Sequence, residues 1–289
     1  MNGTERHSPM EIGVLGYLRK EENSFRIMAE YGVKTAQLQN WNMDLLTPEL
    51  AEKVRKDSLE SGVRIAAFWA GYSGKVIWNS MYGPATCGLV PAHLRERRVE
   101  DLKRGADFAK WIGAPAIITH CGFIPENPSD PEYPRVLCAI YDVAEYCEKL
   151  GLGFWFETGQ ETPVTLLRTI EEVGLLNLGI NLDTANLILY GRGNPVDALE
   201  IFGKYVRNLH VKDAAFVQSG VKAGREVPIG EGAVDFRRII RRLYELDFRG
   251  ELIIEREISG PEQARDILKA KRYLEELLLS CREEGTIRT

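Results

Sequence analysis

No stretch of this 289-residue chain approaches the roughly 18 consecutive apolar residues that a membrane-spanning helix requires, so a transmembrane helix is excluded from the reading. The opening segment Met1–Pro9 is polar and lacks the apolar centre of a secretory signal. Cysteine is sparse and unorganised: five residues, an odd number, with no C-x-x-C pair. That excludes a disulfide framework and points to reduced thiols in a cytoplasmic protein. Cys121 alone lies near a candidate site, and burial is the expectation for it rather than reactivity. A basic excess is also missing. The net charge is −5 and the isoelectric point about 5.6, which argues against nucleic acid or an anionic membrane as partner. The Arg-rich run Arg237, Arg238, Arg241 and Arg242 faces away from the stripe Phe236, Ile239, Ile240, Leu243 and reads as a solvated helix face. Finally, Gly13 and Gly16 are followed by Tyr17-Leu18-Arg19, so the glycine-rich phosphate turn of a dinucleotide-binding sheet is absent.

What the chain has in abundance is alternation. Short apolar runs at Ile12–Leu18, Thr35–Gln39, Arg64–Ala70, Ala116–Cys121, Gly153–Thr158, Leu178–Asp183, Val206–Lys212 and Glu251–Glu257 read as strands. Between them lie stretches of 3.6-residue periodicity such as Val136, Ile140, Val143, Ala144, Cys147. Thr47-Pro48, Thr162-Pro163 and Asn194-Pro195 each place a capping residue before a first-turn proline. Eight such units of about 30 to 35 residues predict a single (β/α)8 TIM barrel over residues 11–279. Residues 1–10 are expected to form a flexible tail and residues 280–289 a frayed one. The long segment Gly71–Pro91, with Tyr72, Trp78 and Tyr82 interleaved among glycines, reads as an ordered lid over the barrel mouth.

Polar residues recur at the ends of four successive strands: Glu157, Asp183, His210 and Glu255. Carboxyl ends of parallel barrel strands converge on one face, where barrel enzymes do chemistry. Alternation aims Asn181 with Asp183, Asn208 with His210 and Lys212, and Ile253 with Glu255 and Glu257 to common faces. Any one of these could be a strand-end ion pair. Four at equivalent places need a shared partner, because unpaired buried charge is costly. A divalent cation supplies one. Three carboxylates and an imidazole suit Mn2+, with Mg2+, Co2+ or Zn2+ as alternatives.

The segments Phe156-Glu157-Thr158, Leu182-Asp183-Thr184-Ala185-Asn186, Leu209-His210-Val211-Lys212-Asp213, Gly230-Glu231-Gly232-Ala233-Val234-Asp235-Phe236 and Ile254-Glu255-Arg256-Glu257 resemble those of the xylose isomerase-like barrels, in particular their sugar isomerase and epimerase branch. The likeness runs from about Glu11 to Leu278 and is strongest after Gly151. It implies one Mn2+-type ion held by Glu157, Asp183, His210 and Glu255, and a small-molecule carbohydrate substrate. One position departs: ketose 3-epimerases of this group carry a histidine three residues after the metal-binding Asp, and here that residue is Asn186. An amide donates a hydrogen bond but no proton at neutral pH. Glu161 likewise stands at a different spacing from the second acid of those epimerases.

A cation beside a carbonyl and its neighbouring hydroxyl acts as a Lewis acid and favours loss of the adjacent C–H proton to an enediolate. Glu157 and Glu255, from opposite ends of the four-strand arc, are the candidate bases on the two sides of the substrate carbon, with His120 at the end of the fourth strand as a third catalytic candidate. Asn186, Lys212, Arg225, Trp69 and Tyr72 are the candidate substrate contacts, and the Gly230/Gly232 turn a weaker candidate for a phosphate. Trp155 could add to the apolar platform or simply pack. This pattern reads as an isomerase or epimerase of keto-sugars. A lyase or dehydratase acting on a keto-inositol or keto-glycoside is the alternative, since the same proton loss can expel a leaving group. AP endonuclease-like phosphodiesterases use histidine-rich trinuclear zinc, and four histidines, with His7 in the tail and His93 at a helix start, are too few for that. No stripe marks a subunit interface, which leaves homo-oligomerisation open.

Overall fold

The computed structural model describes residues 10–286 apart from Ser219; most of the predicted N-terminal tail lies outside them. Eight parallel strands close into a barrel: β1 (Ile12–Tyr17), β2 (Thr35–Asn40), β3 (Arg64–Ala70), β4 (Ala116–Thr119), β5 (Gly153–Glu157), β6 (Leu178–Asp183), β7 (Val206–Val211) and, after a two-stranded antiparallel ribbon of β8 (Asp213–Ala215) and β9 (Arg225–Val227), β10 (Leu252–Ile254). Each strand pairs with its neighbours in sequence order around the ring, and β10 closes it against β1. This is the (β/α)8 architecture that the alternation predicts. The ribbon and the short helix Asn186–Leu189 after β6 are additions to it among the described residues.

The helices are α1 (Ser24–Glu30), α2 (Pro48–Ser61), α3 (Ala92–Ile112), α4 (Tyr133–Lys149), α5 (Pro163–Val173), α6 (Asn186–Leu189), α7 (Pro195–Phe202), α8 (Phe236–Glu245) and α9 (Pro261–Thr286). Their starts follow local chemistry. The side chains of Thr47, Thr162 and Asn194 accept from the backbone N–H of Leu50, Thr165 and Val196, with proline at the first helical position each time. α8 buries Phe236, Ile239, Ile240 and Leu243, while Arg237, Arg241 and Arg242 pair with Glu284, Glu200 and Glu245 on its outer side. α9 runs to Thr286, past Ser280, where the sequence reading has the chain fray; Leu274, Leu277 and Cys281 are buried along it, and that apolar stripe carries the helix on.

Inside the barrel, Ala67, Trp69 and Ile118 form a buried cluster against which Trp155 packs. Gly153 and Gly179 make room for the Trp155 ring, since a Cβ at either would come within 2.5 and 2.7 Å of it. Trp155 is therefore a core filler below the mouth. Two register shifts set what points inward above it. One lies where Ala36 and Gln37 of β2 pair with Ile65 and Ala67, the other where Ile180 and Asn181 of β6 pair with Val206 and Asn208. The extra residue in β7 is Arg207, which is exposed, and beyond it Asn208 and His210 fall directly opposite Asn181 and Asp183.

The segment from Gly71 to Pro91 is ordered by a residue that the sequence reading passed over. Arg98, fully buried on α3, donates to the carbonyls of Ser73 (3.1 Å), Thr86 (2.8 Å) and Gly88 (2.7 Å), and its guanidinium lies 4.4 Å from the Tyr72 ring centre. Gly88, at φ +65°, abuts the Cys121 carbonyl, where a Cβ would stand 1.9 Å from the oxygen. Cys121 itself is buried and burial pushes its thiol up, so it is a packing residue.

Candidate metal centre

Strand register brings the four predicted donors together. Asp183 and His210 are cross-strand partners, and Glu157 pairs with Asn181 one pleat earlier on the neighbouring strand. Glu255 follows the last residue of β10, and its N–H donates to the Val211 carbonyl (3.1 Å). One donor atom from each of the four lies within 4.8 Å of every other. Two ligands facing each other across a cation at ~2.0–2.2 Å would be ~4.0–4.4 Å apart, so the cluster needs only a slight contraction to enclose one.

Local contacts aim the donors. His210 Nε2 lies 2.7 Å from Gln37 Oε1; an amide oxygen only accepts, so this nitrogen carries a proton and Nδ1 is the nitrogen turned to the cluster, the one that would ligate a cation once deprotonated. Nδ1 is 3.0 Å from both Glu157 Oε1 and Glu255 Oε2. Asp183 Oδ1 accepts from the N–H groups of Ala185 (2.8 Å) and Asn186 (2.7 Å), which leaves Oδ2 for the centre. Asp183 Oδ2 and Glu255 Oε2 are buried without a hydrogen-bond donor in proper geometry, although Lys212 Nζ stands 3.1 and 3.4 Å away. Two buried carboxylate oxygens beside the charges of Lys212 and His210, in a hard, mostly oxygen donor set, fit a divalent cation.

Charge in the cluster is strongly coupled. Burial pushes Asp183 up to about 8 against the pull of Lys212. Burial opposes ionisation of Glu157 and Glu255 too, but His120 and His210 hold the first below the ordinary carboxylate range, and Lys212 and His210 hold the second well below it. Burial would lower His210, yet the two glutamates together raise it to about 10. A cation would take over that balancing role and leave the imidazole neutral.

His120 is buried, and burial lowers its pKa, so it is neutral. Its Nδ1 lies 3.2 Å from the Glu157 carbonyl, which as an acceptor fixes the proton there and leaves Nε2 free, 3.6 Å from Glu157 Oε2. That same Oε2 accepts from the Trp69 indole N–H. Glu157 thus has one oxygen at the donor cluster and the other engaged by Trp69, which weakens it as a base. Glu255 has no such donor on its outer oxygen among the described contacts.

Above the cluster opens a cavity of about 490 Å3. Trp69, His120 and Asn186 are in its wall, as the sequence reading has them. Three other candidates are corrected. Tyr72 is buried behind the wall, its hydroxyl accepting from the Gly88 N–H (2.8 Å), because the loop folds its ring under Arg98. Arg225 lies on the exposed edge of the ribbon, its alternation partner Glu226 facing the cavity instead. Lys212 is fully buried among Asp183, Glu255 and Glu257 rather than open to a ligand. The Gly230/Gly232 turn is no phosphate loop either: the N–H groups of Gly230 and Gly232 both donate to Asp213 Oδ2 at 2.9 Å. Glu161 is buried away from the cavity wall.

The cavity also uses Glu257, which the alternation aims to the same face as Glu255, and residues that the sequence reading did not single out: Tyr17, Gln39, Trp41, Tyr190 and Glu226. Gln39, like Gln37 beneath it, had a legible signal in the alternation of Thr35, Gln37 and Gln39 on one inward face of β2. Trp41 had none, since it follows the strand in an irregular loop.

Comparison with known proteins follows the same lines. The family model described as xylose isomerase-like TIM barrel matches residues 25–277. Among solved structures, a xylose isomerase domain protein from Planctomyces limnophilus is 34% identical, with a TM-score of 0.90 over 96% of this chain and 100% of that one. A D-tagatose 3-epimerase-like protein shares the fold at 22% identity and TM-score 0.76, over 96% and 100%. An inosose dehydratase of Lacticaseibacillus casei is 26% identical over 169 residues, 51% of this chain and about half, 55%, of that protein.

Proposed function

The chain belongs to the xylose isomerase-like TIM barrel family, and from that premise we propose that it is a divalent-metal-dependent enzyme that isomerises or epimerises a keto-sugar or keto-sugar derivative. The observation that carries this reading is the four-donor cluster, three carboxylates and a tautomer-fixed imidazole within 4.8 Å, on the floor of an aromatic-walled cavity. Glu157, Asp183, His210 and Glu255 would hold the ion, Mn2+ by preference. When bound, it supplies Lewis acidity to a carbonyl and its adjacent hydroxyl.

The chain's own groups do the rest. Glu255, whose outer oxygen faces the cavity, takes the proton next to the carbonyl to give an enediolate. His120 Nε2 and Glu157 are the candidate groups for the other side: unprotonated, His120 Nε2 takes the proton from the opposite epimer, and after picking up a proton from solvent it returns one to that face of the enediolate. Because Trp69 holds Glu157 Oε2, His120 is the stronger base of that pair. Asn186, with Nδ2 3.4 Å from Glu157 Oε1, orients the glutamate and offers an N–H to a substrate oxygen. The buried floor keeps water from the carbanion.

A dehydratase or lyase outcome is the second reading. Asn186 cannot deliver a proton, and the similarity to inosose dehydratases points the same way. One experiment separates the two: the chelated protein, reloaded with Mn2+, is incubated with a panel of keto-sugars in deuterated water. Epimerisation gives isomers of unchanged formula apart from one solvent deuterium at the reacting carbon, which makes them one mass unit heavier. Dehydration gives loss of water and new ultraviolet absorbance. Turnover indifferent to chelation, with no deuterium incorporated, would end both readings.

A further inference from the structure

The cavity, at about 490 Å3, lies well inside the ~300–1,000 Å3 typical of sites for drug-sized ligands. Its outer part has a distinct chemistry. Trp41 and Trp78 are 38% and 40% exposed, so their faces are open to a ligand rather than spent on packing. Their ring centres are 5.9 Å apart, and Trp41 lies 4.8 Å from Trp69, which itself touches Glu157. Trp78 stands 5.3 Å from His120. The ledge therefore begins at the reacting floor and continues outward. It is also braced: Trp41 lies over Gly71, where a Cβ would come within 2.9 Å of the indole. Exposed aromatic surface that is held in place marks a binding surface.

Charge settles what that surface can take. Among the described residues, no lysine or arginine lines the cavity, whereas Glu226 and Glu257 do. Two cations behind the wall are committed: Lys212 to Asp183, Glu255 and Glu257, and Arg256 to Glu226 (3.0 Å) and Asp266 (2.8 Å). A phosphate entering beyond the metal centre would meet two carboxylates and no lysine or arginine in the wall.

We propose that the cavity holds two subsites, the reacting ring over the donor cluster and a second, uncharged ring against Trp41 and Trp78, so that the substrates are keto-glycosides rather than sugar phosphates. The inference rests on the reading of the site as a sugar enzyme, and binding measurements separate the two. The Mn2+-loaded protein is titrated calorimetrically with glucose, galactose and mannose, with their 6-phosphates, their phenyl glycosides and glucose- or galactose-containing disaccharides. Phenyl glycosides or disaccharides should bind at least tenfold tighter than the free hexose, and the arm that gains more identifies the second ring as aromatic or as sugar. The 6-phosphates should bind no tighter than the free hexose. Trp41→Ala with Trp78→Ala should erase the glycoside gain and leave hexose affinity within threefold; Trp78→Ala alone, a change confined to a surface loop, should remove part of it. A tighter 6-phosphate, a glycoside preference that survives both substitutions, or no binding by any member overturns the proposal. A tryptophan-dependent preference without hydrogen exchange on keto-sugars would instead sink the enzymatic reading alone. Exchange on keto-hexose phosphates without tryptophan dependence would do the reverse.

Discussion

Gln37 offers the sharpest test of how the donor cluster is built. Its Oε1 accepts from His210 Nε2 at 2.7 Å, while its own Nε2 has no protein partner. Gln37→Met therefore deletes one hydrogen bond at nearly constant volume and leaves no cavity to confuse the result. What is lost is the group that holds the His210 proton on Nε2 and Nδ1 toward the centre. Partners of this kind contribute about 10- to 100-fold to metal affinity, or ~1.4–2.8 kcal/mol. The same deletion leaves a buried donor unsatisfied, which costs ~1–3 kcal/mol of stability. Mn2+ affinity by calorimetry on the chelated protein, alongside urea unfolding with and without Mn2+, reads the two separately. Gln37→Glu restores an acceptor and should recover affinity. A Gln37→Met protein that binds Mn2+ as tightly as the parent while remaining folded would refute the tautomer argument.

Two further outcomes test the frame around the site. Burial, with the charge of Glu126 adding to it, raises Glu161 to about 8, far above an unfolded carboxylate near 4.5. Between those values the folded chain binds the extra proton, so stability falls as pH rises from about 4.5 to 8, by an order of a few kcal/mol at most. Glu161→Gln should flatten that part of the melting-temperature profile and raise the midpoint above pH 8; an unchanged slope would show that Glu161 ionises freely. Arg98→Met removes three hydrogen bonds to buried carbonyls, a loss of roughly 3 kcal/mol or more. It should also open the 71–91 segment to limited proteolysis, and an unaltered cleavage pattern would mean that the loop is held by other contacts.

The sequence by itself determined the barrel and the donor set, and the reason is periodicity. Eight apolar runs separated by helical repeats admit few closed solutions. A polar residue at the end of a buried strand stands out because it lacks a packing role. Asp183 and His210 were legible on that ground alone, and so were the three proline-started helices whose caps the structure shows. Even Gln37 and Gln39 carried a signal in their alternation.

Tertiary structure decided the rest, because it depended on groups distant in sequence. The extra residue Arg207 sets which β7 side chains face Asp183, and no local pattern announces a bulge. Arg98 and Tyr72 meet only once α3 packs behind the loop, which turned Tyr72 from a ligand contact into a support. Lys212 reads as an open cation until three carboxylates from β6 and the segment after β10 close around it. Gly230 and Gly232 suggest an anion loop until Asp213 occupies their N–H groups. Side-chain type fixes what chemistry a residue can do, but whether that capacity faces a ligand or is consumed by a neighbour is a property of the folded chain.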